Sequence, residues 1–214
     1  DEEPSPDAIR HALRDVVRHC IYGVDMNDTA VELCKVALWM ESLEPGKPLS
    51  FLDKNIQCGN SLIGVSPGLD IEEIPDDAFQ PKTGDDRATA TALRRRNKRE
   101  REGQLGMRFD VTIIETPEDL ARWRARQVQQ VAAIAEDDVA QLAVKEQAYA
   151  RYLQTDEYRR GRLAYDLWTA AFFWPIPAGD AEAMPAPTQQ ALVELRAGHT
   201  PDAELVRRVQ ETAS

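Results

Sequence analysis

The chain is poor in the features that most often betray a function. Only three of its 214 residues are cysteine, Cys20, Cys34 and Cys58. The number is odd and no two form a C-x-x-C pair, which argues against a disulfide framework and against a zinc knuckle. Each stands among apolar neighbours, so buried reduced thiols acting as small hydrophobes are expected. His11, His19 and His199 have no partner spacing that suggests a metal site or a catalytic base, and no catalytic or metal-binding role is assigned to them. No apolar run approaches the roughly 20 residues needed to cross a bilayer, and the start Asp1-Glu2-Glu3-Pro4 is the opposite of a basic signal peptide. No membrane partner and a cytoplasmic location are therefore expected. Positive charge is short as well. Lys and Arg number 26 against 37 Asp and Glu, a net charge of -11. Such a chain does not wrap nucleic acid unaided, so any DNA contact must come from a local basic patch or from other parts of a larger protein. There is no G-x-G, no Pro-Pro pair and no internal repeat.

What is present reads mostly as helix. Ser5-Pro6-Asp7, Thr116-Pro117-Glu118-Asp119 and Thr200-Pro201-Asp202 share one start signal: a capping hydroxyl, proline at the first helical position and acid in the first turn. The first helix should run to about Arg18, with Ile9, Ala12, Leu13, Val16 and Val17 forming a core-facing stripe. Cys20-Ile21-Tyr22-Gly23-Val24-Asp25 is a short apolar run closed by an acid and suits a buried parallel strand. A second helix follows, capped by Asn27 or by Thr29 in a capping box with Glu32. Its apolar positions nearly encircle it, so burial between two layers is expected. Glu44-Pro45-Gly46-Lys47-Pro48 ends it, and a second strand is expected near residues 54–58. Strand, helix and strand in this order make one crossover unit of a parallel sheet.

Beyond about Pro67 the character changes. The stretch to Asp86 is proline-rich and acidic, like a surface linker. The remainder is expected to be helical near residues 88–102, 117–153 (broken around Asp137-Asp138), 157–173, 188–196 and 201–211, with one short strand at residues 109–114. Arg94 to Arg101 holds six basic residues in eight. Arg94, Arg95, Arg96 and Lys98 are thus candidates for DNA phosphate contacts, against the alternative of a solvated helix face. Trp168, Phe172, Phe173 and Trp174 fall at helical spacing and suit packing or docking better than base stacking.

Chemistry concentrates at two points. An acid at the carboxyl end of a strand in a nucleotide-binding α/β sheet accepts hydrogen bonds from both ribose hydroxyls, and Asp25 is placed for that, although helix capping is the commoner use of such an acid. Gly23 keeps the strand slim, and Met26 offers a side chain to lay against an adenine ring. Gly59-Asn60-Ser61 follows the next strand at the same edge of the sheet, where Asn60 has both donor and acceptor capacity and Gly59 permits a tight turn.

Taken together, Cys20 through Lys35, Leu38-Trp39-Met40-Glu41, Pro45 through Asp53 and Cys58-Gly59-Asn60-Ser61-Leu62-Ile63-Gly64 resemble the large adenine-N6 DNA methyltransferases of restriction-modification and phage-defence systems, of the gamma type with an Asn-Pro-Pro-aromatic motif. The resemblance covers about residues 9–64. It implies an α/β fragment of a class I, Rossmann-like methyltransferase over residues 1–66, followed by a mainly α-helical insertion over 67–214, mostly helical overall. It further implies S-adenosylmethionine as cofactor, Asp25 as the ribose-binding acid, Met26 against the adenine and Asn60 where many relatives carry an adenine-binding aspartate. Asp28 departs from a proline common in the family, and Asn60 from the aspartate; the second keeps hydrogen bonding and loses charge.

The missing motifs acquire meaning at this point. In such enzymes a glycine-rich loop cradles the methionine part of the cofactor, and Asn-Pro-Pro-aromatic holds the flipped adenine. Neither occurs here, so the first is expected before Asp1 and the second beyond Ser214. The chain is then an inactive fragment that binds the cofactor weakly or not at all, its parent meeting DNA and other defence-system subunits. Two other classes remain open: a helical module over residues 88–214 docking DNA or a subunit, and a piece of a dinucleotide-binding enzyme, which would carry G-x-G-x-x-G upstream.

Overall fold

The computed structural model describes residues 3–65, 71–107 and 117–213, with side chains for all of these except residues 104–107 and 117–118. Helix dominates. The order is α1 (Pro6–Cys20), β1 (Gly23–Asp25), α2 (Asp28–Glu41), β2 (Ile56–Cys58), a 3-10 turn (Asp76–Phe79), α3 (Arg87–Met107), α4 (Pro117–Ala132), α5 (Val139–Gln154), α6 (Asp156–Phe173), α7 (Gln189–Arg196) and α8 (Ala203–Ala213). The strand expected at residues 109–114 and the cap expected at Thr116 lie outside the described residues. The chain divides into two compact units, Asp1–Leu62 with Ala125–Gln154, and Ile63–Arg124 with Thr155–Ser214.

In the first unit, Ser5 caps α1 by accepting from the Ala8 amide at 3.2 Å, with Pro6 in the first turn. The helix runs to Cys20, two residues past the expected end at Arg18, so Cys20 closes α1 instead of opening a strand. Asn55 completes that end: its Nδ2 donates to the carbonyls of Arg18 at 3.1 Å and Ile21 at 2.9 Å, groups that a helix terminus leaves without partners. The expected strand-helix-strand unit forms with short strands. β1 and β2 pair in parallel with Gly23 opposite Ile56, Val24 opposite Gln57 and Asp25 opposite Cys58.

Three expectations about burial are corrected. Of the α1 stripe, Val17 is buried as expected, but Ile9, Leu13 and Val16 are 45–47% exposed and Ala12 is exposed too, while the helix buries Arg14 beside Val17. The cause is a buried carboxylate, Glu136, whose backbone carbonyl accepts from Arg14 at 3.4 Å and whose Oε2 lies 3.4 Å from Arg18 Nε. The basic side of α1 turns toward it and most of the apolar stripe turns away. α2 buries only Val31 and Lys35, leaving Leu33, Val36 and Met40 exposed, because a two-stranded sheet supplies one narrow layer and no second. Cys20, Cys34 and Cys58 are all exposed, at a helix end, an uncovered helix face and a strand end.

Glu136 organises this unit. Its Oε1 takes a charged hydrogen bond from Lys145 of α5 at 2.6 Å, both side chains being 2% exposed, and its Oε2 accepts from the Phe51 amide at 3.1 Å. Lys145 also donates to the Ile134 carbonyl at 3.0 Å. The break between α4 and α5, expected around Asp137-Asp138, thus brings a carboxylate from one end of the hairpin onto a lysine of the other. Burial holds the Lys54 ammonium below its usual pKa, the positive charges of Lys145 and Arg18 add to that, and Glu136 opposes it.

The second unit packs around Ile74, Phe79, Leu93, Leu167, Trp174, Leu192 and Val209, each at most 1% exposed. Asp86 caps α3, accepting from the Thr89 amide and hydroxyl at 2.7 Å each. Asn97 of α3 is fully buried and fully used: it donates to the Ile74 carbonyl at 2.9 Å and to Asp76 at 3.0 Å, and accepts from the Gln189 amide at 2.8 Å. Of the aromatic group, Trp174 lies in the core under the Arg208 guanidinium, 4.5 Å from the ring centre; Trp168 and Phe172 pair at 4.6 Å, and Phe173 stays exposed. The last helix begins later than expected. Asp202, not Thr200, accepts from the Glu204 and Leu205 amides at 2.9 and 3.2 Å, since a carboxylate two residues on is the better partner for the amide-rich helix start.

Candidate functional site

The carboxyl ends of β1 and β2 lie side by side in the first unit. Asp25 is the last residue of β1, opposite Cys58, and its backbone carbonyl accepts from the Gly59 amide at 2.9 Å. That bond extends the ladder one step past the strands. It brings Asp25 and the Gly59-Asn60-Ser61 turn to one edge of the sheet, where ligands of parallel α/β sheets bind.

Each polar group at this edge is half committed. Asp25 Oδ1 accepts from the Asn27 amide at 2.8 Å and closes the turn into α2. Its Oδ2 accepts no hydrogen bond among the described residues. Asp25 therefore ties down a loop with one oxygen and presents the other outward. Asn27 in turn caps α2, accepting from the Thr29 and Ala30 amides at 3.0 and 3.3 Å, so the capping box of Thr29 with Glu32 is not made; Glu32 pairs with Lys35 at 2.5 Å. Met26, between the two turn residues, is 69% exposed. Asn60 Oδ1 accepts from the Leu62 amide at 2.9 Å.

The glycines do less than their types suggest. Neither Gly23 nor Gly59 adopts a left-handed conformation. A Cβ at Gly59 would meet Val24 Cγ1 at 3.4 Å, and one at Gly23 would meet Ile56 Cδ1 at the same distance. A Cβ at Gly59 would thus make an ordinary van der Waals contact beside β1, and neither clearance nor a special backbone angle calls for glycine there.

The supports of this edge come from far along the chain. Burial disfavours charge on Lys35, but hydrogen bonds and attraction from Asp53 at 2.7 Å and from Glu32 outweigh it and raise its pKa, which clamps α2 to the segment entering β2. Trp39 Nε1 donates to the Ser50 carbonyl at 2.7 Å to the same effect. From α5, the Tyr149 hydroxyl accepts from Gln57 Nε2 at 3.1 Å, and its ring meets Phe51 edge-on at 5.3 Å. Sequence reasoning missed Tyr149 and Glu136 because they are separated from their partners on β2 and its approach by 92 and 85 positions, and Lys145 because its partner Glu136 sits across the break between α4 and α5. It also missed the Cys58 thiol, which lies 3.6 Å from the Met26 carbonyl as a weak donor.

The candidate phosphate contacts belong to the second unit. Arg94 pairs with Asp77 at 3.0 Å and Lys98 with Glu102 at 3.6 Å. Arg96 pairs with Glu100 at 2.8 Å and donates to the carbonyls of Ala181 and Met184 at 3.0 and 2.9 Å. Beyond these, Arg99 pairs with Glu182, and Arg101 with Asp76 at 2.7 Å. The run is largely neutralised by carboxylates folded onto it. Arg95 is exposed and makes no ion pair among the described residues.

Among the described residues no helix is long and apolar enough to cross a membrane. No protein-family model matches the chain, and no solved structure matches it. Part of the chain is similar to a Methanocaldococcus jannaschii protein provisionally described as a type II restriction enzyme and methyltransferase. The two are 38% identical over an aligned stretch of 58 residues, which covers 23% of this chain and 5% of that protein. The chain thus spans a small part of the relative's length, and within that part it is related to a restriction-modification methyltransferase.

Proposed function

We propose that the chain is an internal piece of an S-adenosylmethionine-dependent DNA adenine-N6 methyltransferase of a restriction-modification or phage-defence system, and that its first unit carries the adenosine-binding corner of a Rossmann-like cofactor domain. The observation that carries this reading is the shared edge: an outward carboxylate oxygen of Asp25, the exposed Met26 side chain and the Gly59-Asn60 turn at the carboxyl ends of two adjacent parallel strands. The partial similarity to a restriction enzyme and methyltransferase supports it. So does the exposed apolar surface of Val24, Leu33, Val36 and Met40, since strands and helices of parallel sheets are ordinarily covered on both faces and a larger sheet would cover them.

The residues present fit the group. Asp25 would accept hydrogen bonds from the ribose hydroxyls through Oδ2 while Oδ1 holds the turn. The exposed Met26 would offer its polarisable thioether to the adenine face. Asn60 would supply hydrogen-bonding groups to the polar edge of the base. The cofactor supplies an electrophilic methyl group; this chain binds and orients its nucleoside end and contains no group assigned to the transfer. Residues 67–214 are an insertion between this corner and a catalytic motif carried elsewhere in the enzyme, DNA is the substrate of that whole enzyme, and other defence-system subunits are its partners.

The test is to titrate the isotope-labelled chain with S-adenosylhomocysteine up to several millimolar and follow its amide NMR signals. Weak saturable shifts confined to residues 24–30 and 57–62 are expected. Shifts elsewhere, or none, contradict the proposal.

A further inference from the structure

Resting on the reading of the β1–β2 edge as an adenosine site, we infer that Tyr149 of α5 is a positioning residue of that site, whose hydroxyl holds β2 through Gln57 and so fixes where β2 ends beside Asp25. Only Ile56, Gln57 and Cys58 make up β2, and among the described residues β1 is its one partner strand. A two-stranded ribbon this short is marginal by itself, so its register needs support from outside the ladder. That support comes from residues 125–154, which lie in the stretch proposed as an insertion and yet belong to the same compact unit as the strands.

Lys145, Tyr149 and Tyr152 are spaced by four and three positions on α5, which puts all three on one face of the helix. Lys145 is bound to Glu136, whose Oε2 accepts from the Phe51 amide at 3.1 Å. The Tyr149 ring meets the Phe51 ring edge-on at 5.3 Å and the buried Tyr152 ring at 6.2 Å. These contacts grip the approach to β2. A further bond reaches the strand itself, where Gln57 Nε2 donates to the Tyr149 hydroxyl at 3.1 Å. Gln57 pairs with Val24 and precedes Cys58, which pairs with Asp25; the next residue, Gly59, is held by its amide to the Asp25 carbonyl at 2.9 Å. The hydroxyl therefore acts on the last paired residues before the edge. Tyr149 itself touches no ligand. It sets how closely the carboxyl end of β2 is kept beside Asp25, and its loss frees the middle of β2 from α5 while the anchors at Phe51 remain.

The experiment titrates the whole chain with S-adenosylhomocysteine and follows its amide NMR signals. Tyr149→Phe keeps the ring against Phe51 and removes the hydroxyl alone. A neutral hydrogen bond contributes modestly, so the dissociation constant should rise about threefold. The Gly59 amide should exchange with solvent about threefold faster, while the amides of α1 keep their native rates, since the loss opens the structure locally and not globally. Gln57→Glu should bind within about twofold of the native chain, because a tyrosine hydroxyl donates to a carboxylate as well as it accepts from an amide. Combined with Tyr149→Phe, which leaves the carboxylate no donor, it should lose at least as much as Tyr149→Phe alone. The inference is overturned if Tyr149→Phe leaves the constant or the Gly59 exchange rate unchanged, if the α1 amides quicken as much as Gly59, or if Gln57→Glu alone loses as much as Tyr149→Phe. If the ligand shifts no signal of residues 24–30 and 57–62 in the native chain, the adenosine site is refuted and the positioning role falls with it, a result distinct from the others because Gly59 exchange still reports whether the hydroxyl holds β2.

Discussion

Replacing Lys145 by methionine should unfold the first unit's architecture at a cost of about 3 kcal/mol, within the 3–5 kcal/mol that removing one partner of a buried ion pair commonly costs. The lower end applies because Glu136, 2% exposed, would keep Arg18 at 3.4 Å and the Phe51 amide at 3.1 Å after the 2.6 Å bond to Lys145 is lost. The lysine also supplies a hydrogen to the Ile134 carbonyl, so its loss leaves the α4–α5 connection short of a donor as well as the carboxylate short of a cation. Urea unfolding followed by the fluorescence of Trp39, which reports on the first unit, is the assay, with the other tryptophans replaced by phenylalanine in the reference protein. The companion variant Glu136→Gln with Lys145→Met removes both charges and should recover at least half of the loss, because the larger part of the cost is an unpaired buried charge. A loss under about 1 kcal/mol in Lys145→Met, or a double variant whose losses simply add, would refute the view that this pair ties the two arms of the hairpin of residues 125–154 together.

Two further outcomes follow from the charges. Arg96→Ala should cost about 1–2 kcal/mol in thermal or urea unfolding, since a mostly buried guanidinium hydrogen-bonded to Glu100 and to the Ala181 and Met184 carbonyls leaves those groups unsatisfied, whereas Arg95→Ala should stay within about 0.5 kcal/mol. Equal effects would show that the basic run is not built into the second unit. The lysine at residue 54 has a depressed pKa in the folded chain, chiefly from burial, so its charged form is disfavoured by folding. Stability should therefore rise as pH increases through the folded pKa toward the usual lysine value, and Lys54→Met should flatten that rise and raise the melting temperature near neutral pH. A variant with the same slope and a lower melting temperature contradicts this assignment.

Local signals carried much of the fold. The Ser5-Pro6 start, one of the two caps open for α2 (Asn27), the break at Asp137-Asp138 and the order of strand, helix and strand all rest on neighbours within a few positions, and the structure places them where such contacts dictate. The errors have one physical source. Periodicity on α1 and α2 says which residues are apolar and not which face finds a partner. Ile9, Leu13 and Val16 of the expected stripe lost the interior to Arg14 and Arg18, while Val17 kept it, because a glutamate some 120 positions away is buried there. Likewise Asp25 and Asn60 were legible as types at a spacing, but which atoms they spend on their own turns emerges only from the Asn27 and Leu62 amides. The basic run of α3 was visible as charge, and the acids that neutralise it, at Asp76, Asp77 and Glu182, were not visible as its partners.

The sharpest test of the adenosine site is Asp25→Asn, which keeps an oxygen for the Asn27 amide and removes the carboxylate charge from the outward position. Hydrogen bonds to a charged group contribute about 1.5–3 kcal/mol, so the dissociation constant for adenosine should rise roughly tenfold or more. The constant for 2′,3′-dideoxyadenosine, which has no hydroxyls for the acid to hold, should be the same in both proteins. An unchanged adenosine constant in Asp25→Asn, or an equal loss with the dideoxy compound, would mean that this carboxylate serves only its own loop.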